Sequence, residues 1–287
     1  METEEILGIS AFVVTMAVLI SASISDWKKR EVGDWHWAAI GSAGLVTTLA
    51  CSIGLTGFRW EYICLAAGTS LILLDIFSDR EFNPFLFYLT AALLFIVPLC
   101  SDLPGDIAKA WISIPVCYAV YLGMYALGIV RGGADVKCLV VLSVMFPMYP
   151  HFLGFPLINI PGSAASHIFV FSLSVLFLAA VMTVPLALYF AARNAREGDF
   201  SGRMFSGYRM KVSDAETANV WPLEDIVGGE LGSVRIPDEE ETAGIYARLR
   251  DAGRETVWVT PMIPFVITIT AATAVIALVG NPLFLIF

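Results

Sequence analysis

The sequence predicts an all-α polytopic membrane protein with about eight transmembrane helices, the sixth short, and a small cytoplasmic α+β domain before the last helix. Three observations predict it. First, the 287 residues are 57% hydrophobic and only 15% charged, with a mean hydropathy of +0.76. A soluble domain carries about a quarter charged residues, enough to cover a water-facing surface. Second, the apolar residues fall in long runs, and a run of about 20 reads as a membrane span. Third, the basic residues gather between alternate runs, as the positive-inside rule requires.

Taken in order, the spans read as 6–25, 35–55, 60–77, 84–100, 107–130, a shorter 136–149, then 166–192 and finally 261–286. The first run is not a secretory signal. Glu2, Glu4 and Glu5 precede it, whereas Lys28, Lys29 and Arg30 follow it. That order predicts an uncleaved helix with its amino end outside. The cytoplasmic segments then collect Lys28, Lys29, Arg30, Arg80, Arg131, Lys137 and every basic residue from Arg193 to Arg254, leaving only Arg59 and Lys109 outside. Dropping the short sixth span would put the cluster at 193–209 on the wrong side, so the span is kept.

The chain thus divides into membrane helices at 1–192, a polar domain at 193–258 and a final membrane helix at 259–287. Within the polar domain 209–212 and 233–236 read as strands and 239–249 as a helix. The Pro- and Gly-rich but apolar stretch 147–162 reads as an outer loop lying on the bilayer.

Composition also excludes. A net charge of −9, from 17 basic and 26 acidic residues, argues against nucleic acid as a partner. His36, His151 and His167 are scattered. Cys51, Cys64, Cys100, Cys117 and Cys138 form no C-x-x-C pair and read as buried thiols, so no metal site and no cofactor is expected. The lipid bilayer is the one partner that composition demands.

Ionisable groups at membrane depth are costly and need a reason. Asp26 ends the first span in Ser25-Asp26-Trp27-Lys28-Lys29-Arg30. Asp135 stands in Arg131-Gly132-Gly133-Ala134-Asp135-Val136-Lys137, directly before the sixth. The topology puts both at the cytoplasmic membrane surface. Each alone could be a helix cap, but Gly132 and Gly133 give Asp135 a backbone that another chain can approach closely. Asp34 reads as the N-cap of the second span. Asp75 reads as a snorkelling side chain or a contact near the pair, and Trp27, Trp35 and Trp37 as an interfacial belt.

The stretch from Gly132 to Lys137 resembles the second-aspartate motif of the GxGD membrane aspartyl proteases, with Ala134 where the strict motif has glycine. More narrowly, the chain resembles archaeal prepilin and preflagellin peptidases, the type IV prepilin peptidase group. Asp26 with the basic residues after it is similar to that group's first aspartate. The stretch Val259-Thr260-Pro261-Met262-Ile263-Pro264-Phe265 is similar to its lead-in to the last span. The resemblance implies a metal-independent aspartyl peptidase of the plasma membrane. It would remove a short basic leader from pilin-like or flagellin-like precursors at the cytoplasmic face. It also implies Asp26 and Asp135 as the catalytic pair, with Gly132, Gly133 and Lys137 supporting the motif or the substrate. Helix dipoles would make Asp135, at an amino end, the resting base and Asp26, at a carboxyl end, the resting acid. The acidic residues Glu224, Asp225, Glu230 and 238–241 would draw a basic leader. Bacterial relatives add a methyltransferase activity on a cysteine-rich zinc loop. No such cysteines are present, so peptidase activity alone is expected.

Three other readings compete. A presenilin or signal-peptide-peptidase type would place Tyr before the first aspartate, where Ser25 stands, and would carry a Pro-Ala-Leu motif that is absent. A proton-coupled transporter would show related halves and mid-span carboxylates. An assembly protein without chemistry would not need the two aspartates.

Overall fold

The computed structural model describes residues 3–77, 84–130, 132–159, 170–234, 237 and 239–285. The chain forms two compact units, one of Met1–Ala180 with Pro264–Phe287 and one of Val181–Ile263.

The first unit is helical because an apolar run with no water around it must satisfy its own backbone. Its helices are α1 (Thr3–Lys29), α2 (Trp35–Thr56), α3 (Trp60–Phe77), α4 (Pro84–Leu99), α5 (Gly105–Ala126) and α6 (Gly133–Met145). To these are added the start of α7 (Phe171–Arg196), which continues into the second unit, and α10 (Phe265–Leu278). Among the described helices α1, α2, α3, α5 and α7 are long and apolar enough to cross a membrane, and α4 and α10 are apolar but shorter. The protein is thus a polytopic helical membrane protein, as its composition predicts.

The short sixth helix is the core. At 13 residues α6 is about 20 Å long, less than the ~30 Å apolar thickness of a bilayer. Val136 and every residue from Cys138 to Met145 are buried. A helix apolar on all sides belongs inside a bundle. Its closest neighbour is α2, which reaches it through glycine: a Cβ on Gly44 would lie 2.7 Å from the Met145 backbone, and one on Gly41 3.3 Å from Val141. Next to this contact Thr48 Oγ1 donates to the Val144 carbonyl at 2.9 Å.

α1 and α10 run side by side, tied by Ser23 and Thr270, whose hydroxyls are 2.8 Å apart. At the far end from Asp26, the segment 147–159 covers both helices. Phe12 and Phe152 meet with ring centroids 5.2 Å apart. Leu157 and Ile158 donate their N–H groups to the last carbonyls of α10, Leu278 and Val279, at 3.1 and 2.8 Å. What the structure shows of the loop expected to lie on the bilayer is that it caps a helix end; its residues 160–162 lie outside the described ones.

Several boundaries are shifted, the sixth helix from 136–149 to Gly133–Met145 among them, and two of the shifts change the reading. α5 stops at Ala126, where Gly128 turns with φ +69°, so 127–130 is not helical. The last span is α10 alone and not 261–286. Residues up to Pro261 belong to a strand, Pro264 is the N-cap, and Gly280 ends the segment with φ +101°, a left-handed conformation that glycine adopts freely.

The second unit is a small α+β fold. Strands β1 (Tyr208–Lys211), β5 (Thr256–Pro261) and β2 (Val220–Pro222) form an antiparallel sheet in the order β1-β5-β2. β3 (Glu224–Val227) and β4 (Glu230–Ser233) form a hairpin. Its turn, Gly228-Gly229, has φ +63° and +87°, the left-handed pair that a two-residue hairpin turn of type I′ needs. A short helix α8 (Val212–Ala215) and α9 (Glu239–Asp251) pack Val212, Ala215, Ile245, Tyr246 and Leu249 against Val257 and Val259 of β5. The expected helix at 239–249 and strand at 209–212 are present to within two residues, whereas the strand expected at 233–236 is displaced: β4 ends at Ser233, Val234 is in no strand, and residues 235 and 236 lie outside the described ones. β5 was read as the lead-in to the last span, so the expected boundary at 258 falls inside it.

Two acidic residues of this unit are buried in ion pairs. Arg203 reaches Glu224 at 2.7 Å, whose other oxygen accepts from the Trp258 N–H at 3.0 Å. Arg248 grips Asp225 with two hydrogen bonds, at 2.9 and 2.6 Å. The guanidinium holds the Asp225 carboxyl below its usual range, with the Ile226 N–H assisting.

Two predictions follow from packing and charge. Gly44→Ala forces α2 off α6 and costs about 1–3 kcal/mol, read as a lower Tm in detergent. Gly54→Ala in the same helix, where a Cβ meets nothing within 4 Å, leaves Tm unchanged or raised. For Arg248→Ala, the depressed Asp225 pKa means the pair stabilises above the unfolded carboxylate value of about 3.9 and ceases to do so as pH falls through the folded value. The variant's Tm deficit is therefore largest at neutral pH and vanishes in strong acid. A deficit that is the same at both ends contradicts the ion pair.

Candidate functional site

Asp26 lies in the last turn of α1, where the helix runs out into the basic residues that follow it. Lys28 and Lys29 are exposed, whereas Asp26 and Arg30 are half-buried. The Arg30 N–H donates to the Asp26 carbonyl at 3.0 Å, and Ser25 Oγ donates to the Glu31 carbonyl at 2.8 Å, turning the chain away. The Asp26 carboxylate accepts a hydrogen bond from the Val266 N–H. Val266 is in the first turn of α10, just after Pro264 at its N-cap. An anion is at home there, because the first N–H groups of a helix lack internal partners and its dipole is positive at that end.

Asp135 is the third residue of α6, after the N-cap Gly132. The Gly132 carbonyl accepts from the N–H groups of Asp135 and Val136 at 3.1 and 3.2 Å. The Asp135 carboxylate folds back over Gly132 so closely that a Cβ there would lie 2.2 Å from Oδ2. Gly132 thus has an extended backbone open to any residue, with φ −74° and ψ 119°, and is needed for space. Gly133 is exposed with open space around its Cβ position. The charge of Asp26 bears on Asp135, so the two carboxylates are electrostatic neighbours. Among the described residues none donates a hydrogen bond to the Asp135 carboxylate, which is left available to a third group.

Of the residues that the sequence singles out, Gly132 lies against the Asp135 carboxylate and Asp26 is close enough for its charge to act on Asp135. Lys137 is turned elsewhere: its ammonium meets Asp34 at 2.6 Å. Asp34 stands at the N-cap position of α2, yet its side chain makes no capping hydrogen bond, because it is taken by Lys137. Asp75 is tied to α5, accepting a hydrogen bond from the Tyr118 hydroxyl. The part that three contributors play at the site went unread. One is the amino end of α10. A Pro immediately before an apolar run is a helix-start signal, and it could have marked an anion site. Another is Arg30. The third is His36, whose Nδ1 is 2.9 Å from the Gly33 carbonyl and whose Nε2 is 3.2 Å from Ser21 Oγ. A carbonyl only accepts, so Nδ1 carries the proton and Ser21 donates to Nε2. His36 therefore braces the α1–α2 turn against α1.

The acidic surface expected in the second unit is smaller than its sequence suggests. Glu224 and Asp225 are buried and paired with arginines, so they are not free to attract a basic segment. Glu230 and Glu241 are exposed, and Asp238 lies outside the described residues. Among the described residues no cluster of three or more His, Cys, Asp or Glu side chains is placed to hold a metal ion.

A polytopic helical protein with two neighbouring carboxylates at one end of its bundle is the class that fold and site define. Comparison with known proteins narrows it. Residues 202–281 match the family model described as Archaeal Peptidase A24 C-terminus Type II. The chain is 22% identical to a preflagellin peptidase of Methanocaldococcus jannaschii over 284 residues, covering 96% of both chains. It is 21% identical to a preflagellin peptidase of Methanococcus voltae over 279 residues, covering 94% of this chain and 95% of that one. The chain resembles archaeal preflagellin peptidases along almost its whole length, the group to which its short motifs point.

Proposed function

We propose that the protein is a membrane aspartyl endopeptidase that removes the short basic leader from flagellin-like or other type IV pilin-like precursors at the cytoplasmic face of the plasma membrane. The observation that carries this reading is the pairing of Asp26 and Asp135, from helices far apart in sequence, at one end of the bundle. The similarity to preflagellin peptidases supports the substrate class. The exposed Lys28 and Lys29 beside the pair support a cytoplasmic active site with the amino terminus outside.

Two adjacent carboxylates cannot both ionise freely, so the pair holds one proton between them. Burial disfavours the anion at both acids, but only Asp26 has groups that offset it, the nearby positive charge of Arg30 and the Val266 N–H, so Asp26 is the ionised member in this reading. Asp135, without a donor, is the protonated one. Asp26 takes a proton from the attacking water while Asp135 gives its proton to the scissile carbonyl oxygen. The roles are the reverse of those that helix dipoles in the sequence suggest. The carboxyl end of α1 is outweighed by the amino end of α10.

The test is cleavage of a precursor with a short basic leader ahead of an apolar helix, in detergent. Asp26→Asn and Asp135→Asn each lower the rate by roughly 100- to 10,000-fold, the usual worth of general acid–base catalysis. Gly132→Ala, which displaces the Asp135 carboxylate without touching the core, lowers it by roughly 100-fold at an unchanged Tm. Cleavage that survives in both aspartate variants sinks the reading.

A further inference from the structure

The second unit begins within α7, and the chain that leaves this helix turns straight back along it. α7 carries no charge before Arg193 and ends at Arg196. Gly198 then turns with φ +80°, and the Asp199 N–H donates to the Asn194 carbonyl at 2.9 Å. Asn194 is itself buried, and its side-chain amide donates to the Met204 and Gly207 carbonyls at 2.9 and 2.7 Å. Tyr208 comes to rest beside Phe190, with ring centroids 5.6 Å apart and the Arg193 guanidinium 4.1 Å over its ring. From Arg196 back to Phe190 is about 9 Å along a helix. Phe190 lies one turn inside the first charge of α7, where aromatic rings gather at a membrane surface. The loop 199–206 is therefore a fixed one, held at the level where α7 leaves the bilayer. Yet Phe200 is 74% and Phe205 53% exposed. One such side chain is ordinary, but two on a single fixed loop rimmed by charge mark an interaction surface. In a chain of net charge −9, the stretch 193–211 carries five basic residues and two acidic ones. Arg193 and Arg209 are paired with Glu197 and Asp199, whereas Arg196 is exposed and meets no acid among the described residues.

We propose that the loop 199–206 is an interfacial anchor: Phe200 and Phe205 rest among the lipid headgroups of the leaflet at the carboxyl end of α7, and Arg196 holds anionic lipid beside them. The bilayer is the occupant because α7 delivers the loop to its surface and the loop returns along the helix instead of leaving it. The basic excess of the stretch, against the acidity of the whole chain, selects an anionic surface. The anchor goes beyond the peptidase reading and does not depend on it.

The test is photo-crosslinking of the full chain in lipid nanodiscs, with p-benzoylphenylalanine replacing one residue at a time and adducts read by mass spectrometry. Phe200 and Phe205 are replaced in kind, and because both are exposed the fold is kept. Leu188, exposed on α7, is the reference inside the membrane. Ala252 is the reference outside it: it is exposed in the turn before β5, at the end of the sheet where Lys211 pairs with Thr256 and away from Tyr208. Lipid adducts are expected from the probe at Leu188, Phe200 and Phe205, and none from the probe at Ala252. In nanodiscs with anionic lipid the adduct fraction at Phe200 and Phe205 rises by roughly twofold or more over zwitterionic ones, and Arg196→Gln removes the rise. Adducts at Leu188 with none at Phe200 and Phe205 overturn the anchor. So do equal adducts at Ala252, because lipid would then be reached from any face. Crosslinks from Phe200 and Phe205 to a second copy of the chain instead of to lipid also overturn it, since the loop would then be an interface between copies. An adduct fraction indifferent to lipid charge overturns the part given to Arg196.

Discussion

A helix too short to cross a bilayer can be stable in one only when other helices enclose it. α6 is that helix, and its burial on every side organises the first unit. Its close approach to α2 needs glycine at 41 and 44, and its amino end must emerge where the chain can turn between spans. The helix starts after Gly132, whose missing side chain is the space into which the Asp135 carboxylate folds. The same enclosure sets the position of Asp135 and limits the water that reaches it.

The electrostatics of the site come from helix ends more than from side-chain pairs. Asp26 closes α1 but rests its carboxylate on the first turn of α10, and Asp135 stands in the first turn of α6. Two helix amino ends thus converge on two acids. The basic residues near them are divided in their tasks. Lys137 is engaged by Asp34, which anchors the α1–α2 turn to α6, while Arg30 keeps an unpaired donor. His36, hydrogen-bonded to Gly33 and Ser21 and stacked on Trp35 at 3.7 Å, stiffens the same turn. A pair of carboxylates that shares one proton titrates as a unit, so its geometry needs supports of this kind.

Much of this was legible in the residues themselves. The long apolar runs and the alternation of basic loops identify the helices, since hydrophobic length is nearly the only requirement on a span. The glycines before Asp135 and the basic run after Asp26 mark both acids. The partners of those acids were not legible, because they depend on which helices lie side by side. Val266 offers only a backbone N–H, invisible in a sequence, and Lys137 could as well have faced Asp135 as Asp34. In the second unit β2 and β3 are three and four residues long and carry no alternation to read. β5 is apolar on both faces as a central strand and so merged with the apolar helix after it. Glu224 and Asp225 read as surface acids because their arginine partners are 21 and 23 residues away in sequence.

The account stands or falls on Asp26 and Asp135 sharing one site in the folded protein. The most direct measurement is chemical: a protein carrying Asp26→Cys with Asp135→Cys, treated in detergent with a short thiol-to-thiol cross-linker and mapped by mass spectrometry of its peptides. The account predicts a cross-link between residues 26 and 135 that is lost on unfolding before treatment. Two cysteines that each react with a small thiol reagent, yet never with one another, would contradict it.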